Sequence, residues 1–184
     1  MGSEGPPTVT IHVTGFKKFH GVSENPTETI VTNLKEYMKK KGIPKGLIIG
    51  SCSILDTAGQ GAVGPLYQML QSSLGKNDSE SSNTGRVIWK VAIVPADGGI
   101  SRKRETSLPV QEITKTLAKM GYDVMASDDA GRFVCNYVYY HSLRFAEQNG
   151  IASLFVHVPL FLAINEETQM QFAASLLEVL ASVN

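Results

Sequence analysis

The chain has 184 residues, 42% of them apolar and 18% charged, and its 17 basic side chains balance 17 acidic ones. That length suits a single domain, 1–184, able to bury a full core, and the balanced charge leaves no electrostatic footprint for nucleic acid or an anionic membrane surface. No apolar run approaches the roughly 20 residues that span a bilayer. The polar N-terminus, Met1 to Pro7, lacks the apolar core of a signal peptide and reads as flexible. Two cysteines, Cys52 and Cys135, fit a reducing cytoplasmic setting better than a disulfide framework.

Val9 to Thr14 alternates and is rich in β-branched residues, which predicts a first strand ending at Gly15 and a loop carrying Phe16 and Phe19. Asn25-Pro26-Thr27-Glu28 reads as a helix start, with Asn as cap, Pro in the first position and an acid three residues after the cap. Ile30, Leu34, Tyr37 and Met38 give that helix an apolar stripe, and Gly42 closes it. Leu47 to Leu55 is a second strand, and Val63, Leu66, Tyr67, Leu70 and Leu74 mark a second helix.

Residues 76–85 are polar and rich in Ser and Asn, a loop rather than a domain linker. Arg86 to Val94 is a β-branched run ended by Pro95 to Gly99. A helix opened by Ser107 and Pro109 follows, through Val110, Ile113, Leu117 and Met120 to Gly121. Tyr122 to Ala126 reads as a buried strand, Asn136 to Gln148 as a helix, and Leu154 to Pro159 as an apolar strand. Asn165 caps a last helix with Met170, Ala173, Leu177 and Leu180 on one face. Strands alternating with helices predict an α/β fold, a three-layer α/β/α sandwich around a mostly parallel twisted sheet.

In such sheets, sites form where loops leave the carboxyl ends of strands. The Phe16/Phe19 loop, Cys135 and His157 all fall there. A cysteine in the opening turn of a helix faces unpaired N–H groups and the positive end of the macrodipole, which lower a thiol pKa. A thiol at a helix start and an imidazole at a strand end are two parts of a cysteine hydrolase. Other features carry blander readings. Cys52 fills core, and His12, His20 and His141 are surface or packing groups. Asp128 and Asp129 are turn and cap residues, with a substitute carboxylate for His157 as the lesser alternative. Gly59, Gly61 and Gly64 lack the Gly-Lys-Ser/Thr of a phosphate loop. Arg102-Lys103-Arg104 is a solvated loop.

Three motifs taken together resemble the pyroglutamyl peptidases, the cysteine-type pyrrolidone-carboxylate peptidases, and look most like the plant branch. They are Val13-Thr14-Gly15-Phe16-Lys17-Lys18-Phe19 with Asn25-Pro26, then Asp129-Ala130-Gly131-Arg132-Phe133-Val134-Cys135-Asn136, then Phe155-Val156-His157-Val158-Pro159. The resemblance implies an omega-peptidase that removes N-terminal 5-oxoproline from peptides, with no cofactor and no metal. It implies Cys135 as nucleophile and His157 as base and later acid. It also implies that Phe16, Phe19, Phe133 and Val134 form an apolar slot for the lactam ring, with Asn25 ordering the loop.

The sequence departs from that family at one place. Val87-Ile88-Trp89-Lys90 runs directly into Val91-Ala92-Ile93-Val94-Pro95, and the several dozen residues that family members carry between them, a catalytic glutamate included, are absent. This looks like an internal deletion between Lys90 and Val91, and it predicts impaired turnover. The competing reading is an inactive remnant that binds pyroglutamyl ligands or a partner subunit. A third is another acyl hydrolase using the same thiol and imidazole. A sheet edge exposed by the gap would favour association of copies into a homo-oligomer.

Overall fold

The computed structural model describes residues 8–19, 21–74, 103–131 and 133–183. The flexible N-terminus read from Met1 to Pro7, the polar loop 76–85, the run Arg86 to Val94 with its join at Lys90 and Val91, and His20 lie outside them.

Strand β1, Val9–Phe16, pairs in parallel with β2, Leu47–Leu55. The first strand therefore runs two residues beyond Thr14 and carries Phe16 at its end. The register shifts between Ile11, opposite Ile49, and Val13, opposite Cys52. His12 fills that irregularity: its Nδ1 accepts from the Ser51 N–H at 2.9 Å. A Cβ on Gly50 would fall 2.4 Å from the His12 ring, so any larger residue there would force the imidazole to shift.

Helix α1, Pro26–Lys41, begins as the sequence predicts, with the Asn25 side chain accepting from the Thr27 N–H. Glu28 does not reach back to Asn25; its carboxylate accepts from the Lys18 N–H at 3.0 Å and ties down the chain leaving β1. Ile30, Leu34 and Met38 are buried, and Gly42 ends the helix at φ 97°. Helix α2 spans Gly59–Leu74, α3 Val110–Lys119, α4 Val134–Asn149 and α5 Glu166–Ser182. Helices α1 and α5 pack together with Leu47 around Leu34, Met38, Ala174 and Leu177. On the other side, α2 and α4 close over Leu55 with Leu66, Leu70, Val138 and Phe145. Helices on both faces of a parallel pair make an α/β/α arrangement. A third cluster joins α3, α4 and α5 through Leu117, Tyr140, Leu143 and Val179.

Two expected strands are not formed. Residues 122–126 and 154–159 have no regular secondary structure, because neither has a ladder partner among the described residues. Their apolar character reflects packing instead: Tyr122, Val124, Leu154 and Phe155 all lie against the third cluster. A further correction concerns Arg104, read as part of a solvated loop. It is 4% exposed, paired with Glu147, and its guanidinium lies over the Tyr140 ring at 5.1 Å. Lys103 beside it is exposed. Among the described residues, no helix is long and apolar enough to cross a membrane.

Candidate active site

Cys135 is the second residue of α4, two after the N-cap Phe133, and no side chain caps that helix. The turn before it is self-supporting. Ser127 Oγ accepts from the Asp129 N–H and donates to the Asp129 carbonyl, both at 3.2 Å, and Asp129 Oδ1 accepts from the Gly131 N–H at 2.8 Å. Gly131 adopts φ 83°, a left-handed conformation that favours glycine.

Cys135 is half-buried against the third cluster, on which Ala130 and Phe155 also pack. Those are the two residues that His157 touches. The His157 Nε2 lies 3.3 Å from the Ala130 carbonyl oxygen, and its ring meets Phe155 edge to face. The thiol and both contacts of the imidazole thus rest on one core cluster.

The electrostatics of the thiol differ from the expectation. Burial pushes the Cys135 thiol up, and the backbone N–H of the same residue opposes this only in part. Water-exclusion by the third cluster outweighs the helix start, because an anion loses solvation there and no cationic side chain compensates among the described residues. Cys52 is pushed up by burial as well, against a smaller opposing effect of Lys35.

Phe16 and Val134 lie against one cluster, that of Leu55, Leu66 and Val138. Phe19 and Phe133 are exposed, Phe133 to 85%, and join no buried cluster among the described residues. Asn25 bonds both sides of the loop: Nδ2 donates to the Lys17 carbonyl at 3.1 Å while Oδ1 accepts from Thr27. Sequence reasoning missed Thr27, whose Oγ1 accepts from the Phe16 N–H at 2.9 Å, and the Ala130 carbonyl beside His157. A main-chain acceptor leaves no mark on residue identity, although the Asp-Ala-Gly turn that presents it is legible. Among the described residues neither Asp128 nor Asp129 pairs with His157, whose Nε2 lies against the Ala130 carbonyl instead. Among the described residues no three His, Cys, Asp or Glu side chains gather as a metal site. Hollows of about 650 and 440 Å³ lie beside the start of α3 and between α1 and α5, away from Cys135 and His157.

An α/β/α chain with a helix-start thiol, and an imidazole whose two contacts pack on the same cluster as that thiol, fits a cysteine-type hydrolase. The family model for pyroglutamyl peptidase matches residues 80–180. The pyrrolidone-carboxylate peptidase of Thermococcus litoralis is 30% identical over 173 residues, covering 80% of this chain and 74% of that one. The pyrrolidone-carboxylate peptidase of Pyrococcus furiosus is 27% identical, covering 80% and 79%. A solved mutant pyrrolidone carboxyl peptidase from the hyperthermophile P. furiosus shares the fold with a TM-score of 0.67 at 20% identity, over 95% of this chain and 97% of that one. The chain belongs to the pyroglutamyl peptidase family.

Proposed function

We propose that this chain, as one peptidase-like domain over 1–184, removes N-terminal pyroglutamate from peptides through Cys135 and His157, at a rate lowered by the missing glutamate segment. The observation that supports this reading is that Cys135 packs on the same core cluster as Ala130 and Phe155, the two contacts of His157. Because the thiol rests protonated, His157 acts as a general base as the sulfur attacks the pyroglutamyl carbonyl. The imidazolium then protonates the departing amine as the C–N bond breaks, and water hydrolyses the thioester. First-turn N–H groups of α4 stabilise the oxyanion. Phe16 and Val134 offer an apolar wall to the lactam, with Phe19 and Phe133 closing over it.

The gap bears on rate. The T. litoralis alignment spans 173 positions yet takes in 80% of the 184 residues here, so some aligned positions face gaps in this chain. Among the described residues no carboxylate pairs with His157. Losing the carboxylate that orients a catalytic histidine costs about 10⁴-fold in the serine protease case. Cleavage of a pyroglutamyl chromogenic amide tests this. We expect slow release, orders of magnitude below the T. litoralis enzyme, that vanishes in C135S. Release equal to that enzyme's, or unchanged in C135S, overturns the reading.

The raised thiol pKa favours a second reading, a remnant that binds pyroglutamyl peptides without turnover. Calorimetric binding of such a peptide with no product formed would decide for it. Two free cysteines agree with a cytoplasmic site of action. An open sheet edge would let copies associate, which sedimentation would reveal.

A further inference from the structure

We infer that Asp129 is a positioning residue for His157, acting through the Ala130 carbonyl to fix the imidazole as its Nε2–H tautomer and leave Nδ1 as the basic nitrogen. The inference rests on His157 as the base of the proposed reaction and adds which nitrogen acts and what selects it.

The chemistry follows from the donor and acceptor inventory. A backbone carbonyl can only accept, and a neutral imidazole carries one proton. With Nε2 lying 3.3 Å from the Ala130 oxygen, that proton belongs on Nε2. The lone pair then sits on Nδ1, the nitrogen left to take the thiol proton. In this family a glutamate completes the catalytic set; here a neutral main-chain acceptor does the orienting, and it stabilises an imidazolium less than a carboxylate does. The same substitution would give both a fixed ring and the lowered rate proposed above.

The carbonyl is aimed by the turn before it. Asp129 Oδ1 holds the Gly131 N–H at 2.8 Å, and Ser127 Oγ holds both backbone groups of Asp129. Between those anchors the Ala130 peptide has one orientation, with its oxygen towards His157. The Phe155 ring, nearly perpendicular to the imidazole with centroids 4.6 Å apart, also limits rotation of the ring. Removing the Asp129 acceptor frees the Gly131 N–H and lets the Ala130 peptide turn, while the hydrophobic contacts of Cys135 persist.

Two-bond ¹H–¹⁵N spectra of histidine-labelled protein above the imidazole titration read the tautomer directly, with the His157 signals assigned by their loss in H157Q. We expect a protonated Nε2 and an unprotonated Nδ1 in the wild type and in D129N, whose amide oxygen still accepts from Gly131. In D129A we expect averaged shifts from two tautomers. Asp129 is exposed, so the fold tolerates these changes, and circular dichroism checks that it does. A wild-type Nδ1–H form, or a D129A spectrum identical to wild type, overturns the inference. Failed cleavage with Nε2–H intact overturns the peptidase reading instead, so the two failures are distinguishable.

Discussion

The Phe155 and His157 rings stand nearly perpendicular, at 84° with centroids 4.6 Å apart, and Tyr139 of α4 backs Phe155 with centroids at 5.1 Å. The histidine is exposed, so this aromatic pair is its principal wall among the described residues. Phe155→Ala removes that wall. Full burial of a phenylalanine makes such a truncation cost roughly 3–5 kcal/mol, and half-burial here reduces it to about 2 kcal/mol. Urea unfolding measures that loss. In peptidase assays kcat should fall more than KM rises, because the imidazole loses orientation while the lactam contacts stay. Equal effects on both constants would place Phe155 in the substrate pocket instead.

Asn25 joins a helix cap to the loop after β1, and its two functions separate by mutation. Asn25→Ala loses the cap on Thr27 and the bond to the Lys17 carbonyl, at about 1 kcal/mol of stability. Asn25→Asp keeps the capping oxygen and loses the donor to Lys17. We expect D at this position to preserve stability in thermal unfolding yet raise KM, since the Phe16 segment loosens. Unchanged KM in both variants would remove Asn25 from the substrate-binding loop.

What the sequence disclosed depended on how local the cause was. The Asn25-Pro26 start, the Gly42 stop and the Asn165 cap are decided within one turn of chain, and each forms as the residue pattern predicts. Residues 122–126 and 154–159 looked like strands because apolar residues there need burial; pairing requires a partner strand, which apolar character does not specify. Arg104 shows the same limit for charge. A basic triplet suggests solvent, and only the fold brings Glu147 and Tyr140 to Arg104 from α4. At the site, helix position correctly placed Cys135 in an opening turn, while the balance between dipole and desolvation depended on the third cluster packed around it.

Arg104 therefore carries a testable structural role. Its guanidinium is buried, with Glu147 as ion-pair partner and Tyr140 beneath it. Breaking a fully buried pair costs roughly 3–5 kcal/mol, and the 28% exposure of the Glu147 side chain lowers the cost of Arg104→Ala to about 2 kcal/mol. Arg104→Met keeps the packing over Tyr140 and should cost less. A double-mutant cycle with Glu147→Gln isolates the pair by chemical denaturation. A coupling of zero would assign the whole effect of Arg104 to packing.

The half-buried thiols set a pH dependence whose sign is fixed by direction alone. Burial raises the folded-state pKa of both Cys135 and Cys52 above that of the unfolded chain. Below an ordinary thiol pKa of about 8.5 both states hold the protons and neither cysteine changes stability with pH. Above it the unfolded chain releases protons first, so unfolding becomes easier as pH rises through the gap between the two values. Wild type should therefore lose stability across that alkaline window faster than a C52A/C135A variant does. Reactivity follows the same logic, since the thiolate is the attacking form. At pH 7 iodoacetamide should modify Cys135 more slowly in the folded chain than in urea, with the folded rate rising about tenfold per pH unit while the thiol remains mostly protonated. Faster labelling in the folded state would mean that His157 already holds the proton as an ion pair. Cleavage would then begin from a preformed thiolate, and the slow step would move from deprotonation of the sulfur to departure of the amine.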